Sequence, residues 1–383
     1  MHLFISAGEP SGDLHGANLI KALKRIDPTI RFSGFGGDKM DAAGCKLLFP
    51  LTKLAVMWFL HAILNIFKFM RLLKQAKRFF RDEKPDAVVI IDFPGFHWQL
   101  AKRAHAQGIP VYYFVPPQLW AWAGWRIKKM KKWVNHVLSA LPFEDQWYRE
   151  RGMPSDYIGH PYFDEMAAKK LDQSFVDEQR RQPGKVIGLL PGSRTAEVTK
   201  NLPDMLRAAS LVHEKHPEIR FLIASFNDKQ AEIARAMVEK LKLPVQIHVG
   251  RTQEIIELAE ACISVSGSVS LEIMYRLKPA VVVYRIGKVM MRVGRVLLKC
   301  KYITLVNLLA NKEIYPEFLT DRDPSIGVAA SMLELLDNPT RADEVRKDLQ
   351  DVRNRVAQPG ACDRAAAFLM ERLGQDARKT LAA

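Results

Sequence analysis

Paired cysteines are missing from this chain of 383 residues. Its four cysteines, at positions 45, 262, 300 and 362, lie far apart and form no CxxC pair, which argues against a disulfide framework and a zinc site. The chain also lacks HExxH or a similar metal-ligand spacing, a Walker loop and a GxGxxG fingerprint. We therefore predict no metal and no other cofactor.

Long apolar runs are missing as well. The longest, at 54–67, spans about 14 residues and contains His61 and Asn65, whereas a transmembrane helix needs ~20 apolar residues. The N-terminus has no basic region followed by an apolar stretch, as a signal peptide would. We expect a cytoplasmic protein in which 54–67 can lie in a membrane interface without crossing it.

Acidic residues are outnumbered, with 42 Asp+Glu against 57 Lys+Arg and a formal net charge of +15. Segments 61–84, 126–132 and 285–301 together carry +16, so the rest of the chain nets −1. A near-neutral protein with local basic surfaces is indicated. Such surfaces predict an anionic partner at particular places, either membrane lipid, nucleic acid or a phosphorylated substrate.

Strands and helices alternate twice along the chain, which predicts two doubly wound, Rossmann-like α/β domains. The apolar runs are continuous, as in strands buried on both faces of a parallel sheet. We predict strands at 3–6, 31–35, 87–92, 111–115 and 137–140, and then at 186–190, 220–224, 245–249, 262–266 and 280–284. The expected domains are 1–163 and 164–340. The helices of 341–383 would pack on the first domain or on a second subunit, so a homodimer stays open.

The first strand leads into a loop with the sequence AGEPSGD at 7–13. Glycines allow a tight turn and the following helix offers free N–H groups to an anion, which makes this a candidate ligand loop with the residues Gly8, Ser11, Gly12 and Asp13. The alternative is an ordinary βα turn capped by Ser11 or Asp13. Glu9 is the more specific feature, because a carboxylate at the carboxyl end of a strand points into the crevice where open α/β sheets bind ligands.

A second carboxylate, Asp92, follows a run of apolar strand residues. It is expected at the same sheet edge as Glu9, where partial desolvation suits a general base that deprotonates a sugar hydroxyl. The alternative is that Asp92 caps the next helix or turn. His97 is equally consistent with a core or a surface histidine.

Two loops in the second half have the strand, glycine, helix order of a phosphate site. One contains Gly192, Ser193 and Arg194, and arginine suits bidentate phosphate contact. In the other, Gly267 and Ser268 precede a helix that carries Glu272 one turn in, where a carboxylate can accept hydrogen bonds from a ribose diol. Glu272 is also explained as a first-turn acid that favours the helix dipole. Together the loops favour a nucleotide diphosphate.

Ten short motifs occur in a fixed order along most of the chain. They are AGEPSGD at 7–13, GFGGDKMDAAGC at 34–45, LAVM at 54–57, IDFPGF at 91–96, PPQLWAW at 116–122, LPFE at 141–144, IGHPYFD at 158–164, LLPGSRTAEV at 189–198, SGSVSLE at 266–272 and NLLAN at 307–311. In this order they closely resemble the lipid A disaccharide synthase family, from residue 1 to about residue 320.

The resemblance implies an inverting, metal-independent glycosyltransferase of the GT-B class, with two Rossmann-like domains facing a central cleft. The donor would be UDP-2,3-diacylglucosamine and the acceptor 2,3-diacylglucosamine 1-phosphate. The products would be the β-1′,6 disaccharide 1-phosphate and UDP, in lipid A biosynthesis. Asp92 matches the aspartate thought to be the base, which removes the proton of the acceptor 6-hydroxyl, and Glu9 would position the acceptor or share in its activation.

The same resemblance assigns the second domain to the donor. The departing diphosphate would be held by Gly192, Ser193, Arg194, Gly267 and Ser268, which stabilise its developing charge. Glu272 would bind the ribose. Asn307, by its match to an NLLAG-like motif, would line the donor pocket.

Three departures from the family pattern bear on selectivity. The family often reads IDAPDFN, whereas this chain has Gly95 in place of the second acid and His97 in place of the asparagine. Trp58 follows LAVM where the family has glycine, and NLLAN ends in Asn311. Since Asp92 is retained, the acceptor or its acyl chains are more in question than the chemistry. A divergent GT-B transferase with another lipid or sugar acceptor is the alternative.

The basic segments include two striped helices. One basic stripe consists of Lys68, Arg71, Lys74, Arg78 and Arg81, and another face of the same helix carries Ile66, Phe69, Met70, Leu73 and Phe80. A second basic stripe, on another helix, includes Arg292 and Arg295. Basic amphipathic helices suit peripheral docking on the anionic cytoplasmic face of the inner membrane, and solvated helix faces are the alternative. A rival from another class is an RNA-binding protein, favoured by tryptophans interleaved with Arg126 and the lysines up to Lys132. No recognisable nucleic-acid module supports that rival, so no nucleic-acid partner is predicted.

Overall fold

The computed structural model describes residues 1–54, 66–239, 241, 243–297 and 300–381. The chain forms two compact units. The first comprises Met1–Ala167 together with Gln358–Ala383, and the second comprises Ala168–Ala357. Each unit has its own parallel sheet with helices on both faces, which is the doubly wound α/β arrangement that the alternation of strands and helices predicts.

The first unit alternates strands and helices in the order expected of βαβ crossovers. Its elements are β1 (His2–Ala7), α1 (Pro10–Ile26), β2 (Arg31–Phe35), α2 (Asp38–Ala42), β3 (Lys46–Phe49), α3 (Ile66–Glu83), β4 (Ala87–Ile91), α4 (Pro94–His105), β5 (Val111–Phe114), α5 (Leu119–Trp122), a 3-10 turn (Gly124–Arg126), α6 (Ile127–Trp133), β6 (His136–Ser139), α7 (Pro142–Glu150), β7 (Ser155–Tyr157) and α8 (Pro161–Ala168).

The strands of this sheet are ordered β3-β2-β1-β4-β5-β6-β7, all parallel. Strand β1 pairs with β4 in a register that places Ala7 beside Ile91, so the loops after these strands start side by side. The chain order reverses direction between β1 and β4, which is the switch point where open α/β sheets bind ligands. One face of the sheet packs against α1 and the other against α3, α4 and α7.

The second unit repeats this scheme. Its elements are α9 (Gln173–Arg181), β8 (Val186–Leu190), α10 (Thr195–Lys215), β9 (Arg220–Ser225), α11 (Asp228–Val238), β10 (Val245–Val249), α12 (Thr252–Leu258), β11 (Ala261–Ser264), α13 (Val269–Tyr275), β12 (Ala280–Arg285), α14 (Lys288–Leu297), α15 (Leu305–Ala310), β13 (Glu317–Thr320), α16 (Ser325–Asp337) and α17 (Pro339–Val356). The sheet order is β10-β9-β8-β11-β12-β13, again parallel.

The last helix, α18 (Ala361–Leu381), returns to the first unit. Its buried residues Ala365 and Leu369 share a core with α1. The carboxylate of Asp164 accepts hydrogen bonds from the backbone N–H groups of Gly360, Ala361 and Cys362, at 2.6, 3.1 and 3.1 Å. The chain passes between the units at 357–358, later than the expected boundary at 340, because α17 buries Val345, Leu349 and Val352 within the second unit.

Candidate functional site

The backbone reverses sharply where β4 ends. Asp92 and Phe93 adopt φ values of 53° and 45°, in the left-handed region that residues with a Cβ rarely occupy. Each such residue costs about 1–3 kcal/mol, so neighbouring contacts must hold the pair in place. Consecutive strained residues at a ligand-binding edge indicate a functional position. Asp92, the predicted base, is half-buried there.

Three buried side chains from different elements meet behind Asp92. The Asp92 carbonyl accepts a hydrogen bond from Nδ1 of His97 at 2.7 Å and another from the Tyr113 hydroxyl at 2.7 Å. Nε2 of His97 lies 2.8 Å from Oγ of Ser6. His97 comes from α4, Tyr113 from β5 and Ser6 from β1, and all three are fully buried. These hydrogen bonds hold the strained turn at Asp92 and Phe93 in place.

Gly8 is required by the same turn. A Cβ at position 8 would lie 2.3 Å from Cγ of Phe93 and 2.7 Å from its Cβ. The loop after β1 therefore touches the residue next to Asp92. Glu9 occupies the N-cap position of α1 with extended backbone and is half-buried, so both predicted carboxylates sit at the carboxyl ends of adjacent strands.

The remaining residues of the first loop divide into two groups. Ser11 is exposed and Gly12 is buried against Ala7 and Ile91. Asp13 is buried, and its carboxylate accepts hydrogen bonds from the backbone N–H groups of Gly37, Lys39 and Met40 at 2.7, 3.1 and 3.1 Å. This is a cap for the neighbouring helix α2, so Asp13 shapes the sheet edge through the next loop.

In the second unit, the loop after β8 is largely exposed, and the side chains of Glu197 and Gln230 hold its backbone. Gly192 has φ of 111°, and a Cβ there would lie 2.5 Å from the Glu197 carboxylate. That carboxylate accepts a hydrogen bond from the Arg194 backbone N–H at 3.2 Å. The Arg194 side chain is 62% exposed, and its guanidinium lies 3.3 Å from Glu197. Ser193 is exposed, and its carbonyl accepts a hydrogen bond from the Gln230 amide at 2.6 Å.

The loop after β11 leaves the sheet beside it, because Ser264 pairs with Leu190 in adjacent strands. Gly267 and Ser268 are exposed, and a Cβ at Gly267 would meet nothing within 4 Å. Glu272 is buried one turn into α13. The structure thus brings together the diphosphate and ribose candidates of the second unit at one edge of its sheet.

Asn307 is held by four hydrogen bonds to its side-chain amide. It is fully buried, and its amide oxygen accepts from the backbone N–H groups of Ile314 and Tyr315 at 2.9 and 3.0 Å. Its amide nitrogen donates to the Tyr315 carbonyl and to the Glu317 carboxylate, both at 2.8 Å. These contacts use the whole amide, so the side chain holds the α15–β13 loop, and its predicted place in the lining of the donor pocket stays a prediction.

Comparisons with known proteins agree with this geometry. A family model described as lipid-A-disaccharide synthetase matches residues 3–371. The lipid-A-disaccharide synthase of Geobacter metallireducens is 32% identical over 381 residues, which cover 97% of each chain.

The chain belongs to the lipid-A-disaccharide synthase family. It is therefore a glycosyltransferase of lipid A biosynthesis. Solved structures show the GT-B fold. The S. aureus MnaA–UDP co-structure superposes with a TM-score of 0.68 at 14% identity over 97% of each chain. CalG4, the calicheamicin glycosyltransferase, gives 0.63 at 14% identity over 97% of this chain and 98% of that chain.

The departures from the family pattern can now be placed. Gly95 is exposed in the first turn of α4, and a Cβ there would meet nothing within 4 Å. His97 belongs to the buried network behind Asp92, a role that the sequence left undecided between core and surface. Trp58 lies outside the described residues. Ser6 and Tyr113 were missed entirely, because both sit inside strands where the sequence pattern signals only burial.

The predicted docking residues whose side chains the structure describes are exposed, and their role in docking stays a prediction. On α3, an exposed stripe is formed by Lys68, Arg71, Lys74, Arg78 and Arg81, while Leu73 and Phe80 are buried. Ile66 and Met70 are exposed near the start of the helix, along with Phe67, which is 81% exposed. Arg292 is exposed on α14, and the side chain of Arg295 lies outside the described residues.

The described ranges contain no group of three or more His, Cys, Asp or Glu side chains placed to hold a metal ion. Among the helices that the structure describes, none has both the length and the apolar character to cross a membrane.

Proposed function

We propose that this enzyme transfers 2,3-diacylglucosamine from its UDP derivative to the 6-hydroxyl of 2,3-diacylglucosamine 1-phosphate. The products are the β-1′,6-linked disaccharide 1-phosphate and UDP. Family membership supports the reaction class, and the strained, anchored position of Asp92 is the observation that carries the mechanism. Inversion follows from a single displacement, in which one base activates the acceptor and UDP leaves from the opposite face.

Asp92 is the proposed base. As the acceptor oxygen attacks the anomeric carbon, its proton passes to the Asp92 carboxylate, and the electron pair of the broken bond leaves with UDP. The half-buried setting favours this role, because partial desolvation makes a carboxylate a better proton acceptor. Glu9, on the adjacent loop, is proposed to position the acceptor or to share in its activation.

The loops of the second unit are proposed to bind the donor. Backbone N–H groups at the start of the long helix α10 and the exposed Arg194 guanidinium are both suited to a diphosphate. Gly192, Ser193, Gly267 and Ser268 let the ligand approach the backbone closely, and Glu272 is proposed to take the ribose hydroxyls. Charge that develops on the leaving UDP is then stabilised by these groups without a bound cation.

The test is a reaction with both purified diacylated sugars. The expected product has the mass of the tetraacyl disaccharide 1-phosphate and a large anomeric proton coupling, as a β-linkage requires, and one UDP is released per disaccharide. Each single-substrate mixture serves as the control. No disaccharide, together with turnover of a differently acylated or non-lipid acceptor, would support the divergent transferase instead.

We further propose that the start of α3 docks on an anionic bilayer. Exposed Ile66, Phe67 and Met70 lie beside the cations of the same helix, which is the composition of an interfacial helix. Phe69 packs against Phe93 with ring centroids 6.2 Å apart, so this surface adjoins the residue that follows Asp92. A lipid acceptor lifted from the bilayer would thus meet the base directly.

Exposed tryptophans are a second candidate element for docking on the bilayer. Trp122 and Trp125 stack edge to face with centroids 6.1 Å apart, and the Arg126 guanidinium lies 4.8 Å from the Trp122 ring centroid. Both follow β5, whose carboxyl end lies at the sheet edge of Asp92. Tryptophan with neighbouring cations suits the headgroup region of a membrane.

Liposome flotation tests the docking proposal. Wild type is expected to float with vesicles containing phosphatidylglycerol and to stay behind with pure phosphatidylcholine. Reversing Lys68, Arg71 and Lys74 to glutamate should abolish flotation, whereas reversing the exposed Lys21, Lys39 and Lys46 elsewhere on the same unit should not. Equal loss in both triple variants would show a net-charge effect only. Strong, salt-sensitive RNA retention on filters without flotation would favour the RNA-binding alternative.

A further inference from the structure

We propose that His97 is a positioning residue that fixes the conformation of Asp92, with Tyr113 as a second anchor and Ser6 as the group that orients the imidazole. The inference rests on the proposed role of Asp92 as the base. It assigns a task to a residue that departs from the family pattern and that the reaction scheme does not otherwise use.

The hydrogen-bonding capacity of the Asp92 carbonyl oxygen is fully used. The Asp92 carbonyl oxygen has two lone pairs, and it receives two short hydrogen bonds, from Nδ1 of His97 and from the Tyr113 hydroxyl, both at 2.7 Å. Both donors are fully buried, so water cannot replace them. The peptide group between Asp92 and Phe93 is therefore held from two directions.

The two hydrogen-bond partners of His97 determine its tautomer. A carbonyl oxygen only accepts, so the proton of the neutral ring must lie on Nδ1, which leaves Nε2 as an acceptor. The Ser6 hydroxyl, 2.8 Å from Nε2, is then the donor. Burial lowers the pKa of His97 to about 4, so the ring stays neutral at physiological pH. Both nitrogens are satisfied, and the imidazole has one orientation.

The backbone conformation of Asp92 requires the hydrogen bonds from His97 and Tyr113. Two consecutive residues with positive φ are unfavourable, and a chain leaving a strand would relax toward extended backbone if it were released. Relaxation would swing the Asp92 carboxylate away from its position at the sheet edge. Since a proton acceptor must lie within hydrogen-bond reach of the acceptor hydroxyl, a small displacement lowers turnover.

Two substitutions separate the two hydrogen bonds of His97. In His97→Asn, the amide nitrogen can occupy the place of Nδ1 and keep donating to Asp92, while the contact with Ser6 is lost. In His97→Gln, the longer side chain reaches toward Ser6 and the donor to Asp92 is lost. A merely structural histidine would be disturbed by both.

We expect His97→Gln to lower kcat by about 10- to 100-fold with little change in KM, because the base is displaced while the substrates still bind. His97→Asn should stay within about threefold of wild type. Affinity for UDP should be unchanged in both, since the proposed donor loops belong to the other unit. Equal kcat values for the two variants, or wild-type kcat in His97→Gln, would overturn the inference.

Two further variants keep the test decisive. If His97→Gln does not fold, as judged by its melting curve, Tyr113→Phe removes one anchor by deleting a single oxygen and should lower kcat several-fold at unchanged KM. Wild-type kcat in Tyr113→Phe would then contradict the inference.

Asp92→Asn separates this inference from the function on which it rests. If Asp92→Asn is active, the proposed base is wrong. If it is inactive while His97→Gln retains full kcat, only the positioning role fails.

Discussion

The two sheet edges of this enzyme are built in opposite ways. Around Asp92 in the first unit, a network of buried side chains from three elements holds one strained residue. Around Gly192 in the second unit, the candidate ligand groups are exposed, and backbone N–H groups and one arginine dominate. The contrast fits the proposed roles, because a base requires a fixed position, whereas a diphosphate can be bound by an open loop and a helix end.

The largest effect should come from the proposed base. Asp92→Asn is expected to lower kcat by about 10²–10⁴-fold, because the amide cannot accept the acceptor proton. The measurement is UDP release with both diacylated substrates. Asp38→Asn, at an exposed acid of the same unit, is the matched control and should retain wild-type turnover. Turnover of Asp92→Asn close to that of the control would remove the contrast between the two edges.

A second prediction separates structure from chemistry within the first loop. Asp13→Asn removes the charge that three backbone N–H groups share, and hydrogen bonds to a charged group contribute about 1.5–3 kcal/mol. Hydrogen exchange followed by mass spectrometry should show faster exchange of the peptide covering 36–41, with kcat reduced far less than in Asp92→Asn. Unchanged exchange would contradict the capping role of Asp13. A kcat as low as that of Asp92→Asn would mean that Asp13 takes part in the chemistry.

The smallest effect concerns pH and the buried carboxyl of Glu144. Burial raises the pKa of Glu144 to about 8, and its oxygens accept from the Trp120 indole at 3.1 Å and the Ala140 backbone N–H at 3.3 Å. The unfolded carboxyl, with a pKa of 4.5, loses its proton first. Stability should therefore fall as pH rises from about 4.5 to about 8 and then level off.

Glu144→Gln tests this directly, since glutamine does not titrate. Its melting temperature should fall less than that of wild type between pH 5 and 8, and Glu150→Gln, at an exposed acid of the same helix, should follow wild type. Parallel curves for all three proteins would show that Glu144 does not hold its proton in the folded state.

How much the sequence could predict differs between interior and edge. The interior strands are continuous apolar runs, and β2 and β8 match the predicted spans in full. The strand β10 also matches in full although it is outermost, because apolar residues alternate along its sequence VQIHV. The strands β3, β7 and β13 were not predicted, and all three are outermost in their sheets, where burial is partial and the apolar signal is weak. An outermost strand is defined by its partner, which lies elsewhere in the sequence.

The same distinction applies to the site. Asp92, Glu9 and Arg194 stand out locally, as charged residues in the short loops that follow strands. Ser6 and His97 are separated by 91 positions in the chain, so their contact could not be inferred from spacing. For Asn307, the motif match predicts a place in the donor pocket. The structure adds what the motif could not show, because the amide of Asn307 is wholly used by neighbouring backbone groups and Glu317.

The division of labour between the two edges is tested most directly by calorimetric titration of UDP into wild type, Asp92→Asn and Arg194→Ala. We predict that Asp92→Asn binds UDP as wild type does, although it barely turns over. Arg194→Ala should bind UDP about 10- to 100-fold more weakly, as the loss of a charge-assisted hydrogen bond requires. Equal weakening of UDP binding in both variants, or none in Arg194→Ala, would contradict these predictions.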